Sequence, residues 1–156
     1  MKILQVLPKI PYPPTDGHKK SMWGIIQHLA ARGHTIDVIA YRQNQNYTEY
    51  LNEINEHAKL IVVDVITKNK LSGAIRNLFS SVPYNLSKYK TKEFAALLTK
   101  HLSTNKYDVI HVTNAHMGWV VDVVRKLSDA PVVLREENFE LTIMERYYQN
   151  QSNLLL

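Results

Sequence analysis

Five short runs of this chain are nearly unbroken in isoleucine, valine and leucine: Lys2–Leu7, Thr35–Tyr41, Leu60–Ile66, Val109–Thr113 and Val132–Arg135. Runs of this length and density read as β-strands covered on both faces. The segments between them carry helical spacing instead. Met22, Ile25, Ile26, Leu29 and Ala30 follow the i, i+3, i+4, i+7 rule, and Gly33 stands where a C-terminal cap belongs. Further stripes are Tyr47, Tyr50, Leu51, Ile54 and Ala58; Leu71, Ala74, Ile75, Leu78, Phe79 and Val82; Phe94, Leu97, Leu98 and Leu102; and Met117, Val120, Val121, Val124 and Leu127. Phe139, Ile143 and Tyr147 begin a last one. Strands alternating with helices predict an α/β fold: a three-layer, doubly wound parallel sheet with right-handed crossovers. The alternation breaks between Ile66 and Val109, where two helical stripes flank the loop Val82–Ser87. That insertion is expected over the sheet edge or over a cleft.

Composition narrows the class. At 156 residues the chain has the length of one domain. With 45% hydrophobic and 21% charged residues it is not a disordered chain. It contains no cysteine, which excludes a disulfide scaffold, a cysteine-ligated zinc or iron–sulfur site and a cysteine nucleophile. No run approaches the roughly 18 apolar residues of a membrane span, and the opening apolar run before Pro8 is too short for a signal peptide. Lysine and arginine exceed aspartate and glutamate by 19 − 14 = 5. That excess suits nucleic acid, an anionic membrane or a phosphorylated ligand, or merely solvates the surface. No long basic run supports nucleic acid; the densest cluster is Lys88, Lys90 and Lys92. From Glu145 the final helical pattern runs into Leu154-Leu155-Leu156 without a stop signal, so the chain is expected to be part of a longer protein.

In open parallel sheets ligands bind outside the carboxyl ends of the strands, where the strand order reverses. Three loops qualify. The first, Pro8 to Lys19, is long for a strand–helix connection and stiffened by Pro8, Pro11, Pro13 and Pro14. It delivers Asp16, Gly17, His18 and Lys19 to the first helix, whose N-terminus offers free N–H groups to an anion; the alternative is a simple turn glycine. The second follows the fourth strand and presents Asn114 and His116, whereas His111 lies within the strand and reads as packing. The spacing of the two histidines is no metal signature, and no metal site is predicted. The third carries Arg135, Glu136, Glu137, Asn138 and Glu140. Carboxylates there can hold sugar hydroxyls or act as a base, while Asn138 and its acidic neighbours also suit the start of a helix. His28, His57 and His101 are expected at the surface, and His34 in a helix-to-strand turn. No G-x-G-x-x-G or G-x-x-x-x-G-K-[ST] occurs, which argues against a dinucleotide-dependent oxidoreductase or a P-loop enzyme. Leu7-Pro8-Lys9 offers no carboxylate for a receiver-like phosphoacceptor pocket.

Together these segments carry a resemblance. The opening MKILQVLPKIPYPPTDGHKKSMWGIIQHLAARGHTIDVIAY is similar to the start of family-4 glycosyltransferases of GT-B fold. VPYNLSKYKTKEF, YDVIHVTNAHMG and PVVLREENFE resemble that family in order and spacing. The resemblance implies one Rossmann-like half of a two-domain GT-B enzyme, the half that meets the acceptor. The nucleotide-sugar donor would belong mainly to a C-terminal domain, transfer would retain anomeric configuration, and no metal would be needed. By position Gly17 matches the glycine of the family's first loop, and Glu137 stands where many members carry a catalytic histidine. His18 replaces a second glycine.

The resulting expectation is an acceptor-side domain acting in polysaccharide or glycolipid synthesis, nearly inactive alone. Glu137 is the candidate catalytic residue. Asp16, Gly17, His18, Lys19, Asn114, His116, Arg135, Glu136 and Asn138 are the candidate substrate contacts. No cofactor is expected on this chain. The partners expected are an acceptor glycan or glycolipid, with Lys19, Lys20, Lys88, Lys90 and Lys92 toward its charge, and a nucleotide sugar through the further domain. The location expected is the cytoplasm, with peripheral contact at the inner face of the membrane and no nucleic acid. The competing reading is a non-catalytic ligand-binding or regulatory α/β domain.

Overall fold

A computed structural model describes residues 1–43, 46–64, 87–136 and 140–150. Five strands, β1 (Lys2–Leu7), β2 (Thr35–Tyr41), β3 (Lys59–Val63), β4 (Val109–Thr113) and β5 (Val132–Arg135), form one sheet in the order β3-β2-β1-β4-β5. Every pairing is parallel, with Gln5 opposite both Val38 and His111, and Thr113 opposite Arg135. This is the doubly wound α/β arrangement that the alternating pattern predicts.

The strands are apolar throughout because each face has its own core. Leu4 and Val6 of β1 and Ile110 and Val112 of β4 point to one side with Ile39 and Tyr41. Phe94, Leu98 and Leu102 of α3 (Lys92–Thr104) and Val120 and Val124 of α4 (Val120–Val124) cover that side. Leu7, Ile36, Val38 and Ala40 point to the other, under Met22, Trp23 and Ile26 of α1 (Gly17–Ala31) and Ile54 of α2 (Leu51–Asn55). Each such aliphatic side chain, fully buried, contributes about 1.5–3 kcal/mol of transfer free energy.

Local chemistry sets the helix limits. The Asp16 carboxylate caps α1 by accepting from the Lys19 amide at 2.7 Å. At the other end Gly33 adopts φ +80°, and the Gly33 and His34 amides donate to Ala30 and Leu29 at 2.8 and 3.2 Å. This is a Schellman closure, which glycine enters without a Cβ penalty. Thr91 caps α3 through the Phe94 amide at 3.2 Å.

Several expectations are corrected. The stripe Tyr47–Ala58 is a 3₁₀ turn, Thr48–Tyr50, followed by the short α2. Its tyrosines tighten there against the second core, with the Tyr12 and Tyr50 rings 5.6 Å apart. The stripe starting at Met117 likewise splits into a 3₁₀ turn, Ala115–Met117, and α4. Gly118 ends that turn so closely that a Cβ would lie 3.1 Å from the Ala115 carbonyl oxygen. Strand β5 is not covered on both faces: Val133 and Leu134 are each 49% exposed, and among the described residues β5 pairs with β4 alone, at an edge of the sheet. His101 is not a surface residue; its side chain keeps 12% exposure and sits beside buried Asp37. His57 packs its ring 5.4 Å from Trp23. The stripe Leu71–Val82, most of the Val82–Ser87 loop, Ile66, Phe139 and Leu154–Leu156 lie outside the described residues. The last helical stripe forms α5 (Glu140–Gln149).

Candidate functional site

The sheet order makes β1 and β4 parallel neighbours, so the order in which strands are added reverses between them and their carboxyl ends flank the crevice. The loop leaving β1 is pinned on both sides. Gln43, beyond β2, donates from Nε2 to the Pro8 carbonyl at 2.9 Å. Lys9 Nζ pairs with Asp16 Oδ2 at 2.9 Å. Asp16 is thereby committed to a helix cap and an ion pair. The Lys19 amide, and after it the Lys9 hydrogen bond, hold its carboxyl below the ordinary range.

Gly17 is the first residue of α1 rather than a residue ahead of it. Its φ is not in the left-handed region, and no atom of the described residues lies within 4 Å of where a Cβ would stand. The backbone therefore does not demand glycine; the space beside it is open. No acidic residue stands in the first turn of α1, where His18, Lys19 and Lys20 follow. Lysines beside the positive end of a helix dipole repel it, and the Asp16 carboxylate at the N-cap offsets that charge. Burial pulls the Lys19 pKa down, Asp16 pulls it up, and Lys9 lowers it further.

Across the crevice Asn114 follows β4 at φ +77°, ψ 137°, a conformation that costs a non-glycine residue on the order of 1–3 kcal/mol. The surroundings hold it there. Its amide donates to the Arg135 carbonyl at 2.8 Å, and its Oδ1 accepts from the His116 amide at 3.0 Å. The same Oδ1 contacts His116 Nδ1. When Nδ1 carries the proton, Nε2 of the neutral ring is an acceptor suited to a hydroxyl. The Tyr89 ring lies 5.3 Å from His116, and the Tyr89 carbonyl accepts from Tyr41 Oη at 2.6 Å. Burial pushes the Tyr41 hydroxyl up to about 12, so it stays a donor.

The third loop joins the other two through Arg135, whose Nη2 donates to Ser21 Oγ of α1 at 2.6 Å. Burial, and then the Arg135 charge, lower the pKa of His111, whose Nδ1 meets Gln5 Oε1 at 2.6 Å. Glu136 is exposed. Glu137 and Asn138 lie outside the described residues. The structure thus gathers Asp16, Gly17, Lys19, Asn114, His116 and Arg135 on one edge of the sheet. It adds Lys9, Ser21, Gln43 and Tyr89, which sequence reasoning did not single out. Only Tyr89 had a signal, its place between Lys88 and Lys90.

Beside this edge a groove of about 620 Å³ runs between α3 and α4. Its rim carries Lys90, Lys92, Lys126 and Asp122, and its walls include Trp119 and Val123. Among the described residues no group of histidines and carboxylates could hold a metal ion. None of the described helices is long and apolar enough to cross a membrane.

The family model described as Glycosyltransferase Family 4 matches residues 15–151. No curated protein matches the chain. Among solved structures, apo UGT2 of Phytolacca americana superposes with a TM-score of 0.58 at 11% identity, covering 98% of this chain and 34% of that one. This chain therefore spans about a third of that structure, which it resembles in fold. The C-terminal domain of a Pyrococcus furiosus hydrogenase aligns with a TM-score of 0.47 at 12% identity, over 85% of this chain and 89% of that domain.

Proposed function

The chain belongs to Glycosyltransferase Family 4, and from that premise we propose that it is the acceptor-side, Rossmann-like half of a GT-B enzyme that transfers a sugar from a nucleotide-sugar donor. The observation that carries this reading is the convergence of three loops at the β1/β4 switch point. The basic N-terminal turn of α1 faces the crevice edge that also bears Asn114, His116 and Arg135.

In this reading the α1 N-terminus and Lys19 attract the negative charge of the acceptor. Asn114 fixes the His116 ring so that Nε2 accepts from a sugar hydroxyl. Arg135 locks β5 to α1 and keeps the crevice walls at a constant spacing. The acceptor is a polysaccharide or glycolipid precursor bearing phosphate or a membrane anchor, which suits the lysines at 88, 90 and 92. Donor diphosphate stabilisation, the main electrostatic requirement of such a transfer, falls to a further domain. The chain alone is then nearly inactive, and transfer retains anomeric configuration.

The test uses the complete gene product with a panel of radiolabelled nucleotide sugars and a lipid or glycan extract as acceptor. Transfer of label from one donor, with the product anomer read by NMR, supports the reading. Reversing charge with Lys19→Glu and Lys20→Glu is expected to raise the acceptor KM while leaving donor affinity unchanged. Binding of a nucleotide sugar with neither transfer nor hydrolysis would overturn the enzymatic reading.

A further inference from the structure

Two helical rows meet in the groove between α3 and α4. Thr91, Ala95 and Thr99 stand four apart along α3 and its cap. Trp119, Val123 and Leu127 stand four apart along α4 and the residues flanking it. Residues four apart share one face of a helix, so a row of small side chains lies beside a row of large apolar ones. The step between the rows is the groove of about 620 Å³. The fully buried core takes other residues of these helices: Phe94, Leu98 and Leu102 from α3, and Val120 and Val124 from α4.

The charges on this groove are unanswered. Lys90, Lys92 and Lys126 form no ion pair with any described residue, and neither does Asp122. Three lysines against one carboxylate leave a positive rim around an apolar floor. Leu127 keeps 41% of its surface exposed. The Trp119 ring stands edge-on to Phe94 at 5.8 Å, which fixes it before any partner arrives. At its Lys90–Lys92 end the groove adjoins the crevice, where Tyr89 packs 5.3 Å from His116.

We infer that the α3–α4 groove is a docking face for an anionic membrane surface, which sets the crevice beside the lipid headgroups. The lysines meet lipid phosphates, Trp119 takes the headgroup level, and Leu127 reaches the acyl boundary. Charge decides between occupants. A second copy of this chain seated on the same face would set these lysines against their own counterparts, a like-charge contact. A small soluble anion would answer the lysines and leave Val123 and Leu127 in water. The inference deepens the acceptor reading above and rests on it for the cargo, a sugar acceptor presented from the bilayer.

Each lysine brought to an anionic surface contributes roughly fivefold to membrane partition. The attraction fades within a Debye length of about 10 Å at 0.1 M salt. Flotation of the complete protein with phosphatidylcholine vesicles, with and without roughly one-third phosphatidylglycerol, tests the docking at low and high salt. Binding to the anionic vesicles alone, lost at high salt, is expected. Lys92→Gln combined with Lys126→Gln should weaken it by on the order of 10-fold or more. Leu127→Ser should weaken it a few-fold with the salt dependence unchanged. Lys59→Gln, at the start of β3, should leave it as it is. All four side chains are exposed, so thermal unfolding should stay close to wild type.

No flotation with anionic vesicles, flotation untouched by the Lys92 and Lys126 pair, or an equal loss in Lys59→Gln overturns the docking. So does a concentration-dependent dimer, seen by sedimentation and removed by Leu127→Ser, in a protein that does not float. The transfer assay is separate. Flotation without glycosyl transfer leaves the docking face standing and removes its cargo, whereas transfer to a soluble acceptor without flotation overturns the docking and keeps the enzymatic reading.

Discussion

Arg135 Nη2 donates to Ser21 Oγ across 2.6 Å, joining residues 114 positions apart. The last residue of β5 is thereby tied to the second turn of α1, and the two outer walls of the crevice become one body. Ser21→Ala removes the acceptor and nothing else. It is expected to cost about 1 kcal/mol, the net worth of such a hydrogen bond. A lower urea midpoint at constant m-value is the measurement; an unchanged midpoint would show that the tie contributes nothing to the fold.

Asn114 separates conformational strain from function. At φ +77° a glycine would be relaxed, so Asn114→Gly should leave stability within about 0.5 kcal/mol of wild type, relief of strain offsetting the lost bond. Asn114→Ala keeps the strain and loses the bond, and should cost about 1 kcal/mol or more. Both variants free the His116 ring and should weaken acceptor binding alike. Thermal unfolding and acceptor titration of the complete protein distinguish the two effects.

Gly17 and Gly33 make an opposed pair. Gly33→Ala places a Cβ at φ +80° with open space around it, so it pays only the left-handed penalty of roughly 1–2 kcal/mol. Gly17→Ala meets neither a left-handed φ nor a neighbour, and should be neutral or slightly stabilising in a helix. If Gly17 serves ligand approach, its alanine variant loses affinity at full stability. Retained affinity would return Gly17 to the role of an ordinary turn residue.

The Asp16 cap predicts an acid limb. The Lys19 amide and Lys9 hold its folded pKa down. Its contribution is thus complete above the unfolded carboxylate value of about 3.9 and lost as pH falls through the lowered folded value. Asp16→Ala should cost about 1 kcal/mol at pH 7 and progressively less as pH falls through the lowered folded value. A pH-independent difference between the two proteins would mean that the charge plays no part in the cap.

The sequence alone determined what short-range physics controls. Dense apolar runs become strands because both faces of a parallel sheet are buried, and the i, i+4 stripe of Met22, Ile26 and Ala30 becomes α1. Gly33 closes that helix because its conformation is a property of a few neighbouring residues. Three site loops were legible for the same reason, since they follow recognisable strands. What the tertiary structure decided involves residues far apart in the chain. The order β3-β2-β1-β4-β5 places the switch point between strands separated by about a hundred residues. It turns β5 into a half-exposed edge despite its apolar sequence. It also brings His101 to a buried carboxylate, although a histidine on a helix looks solvated when read locally. Such partners are chosen by whichever arrangement buries apolar surface while leaving each buried charge answered, and that balance is struck over the whole fold rather than along any one segment.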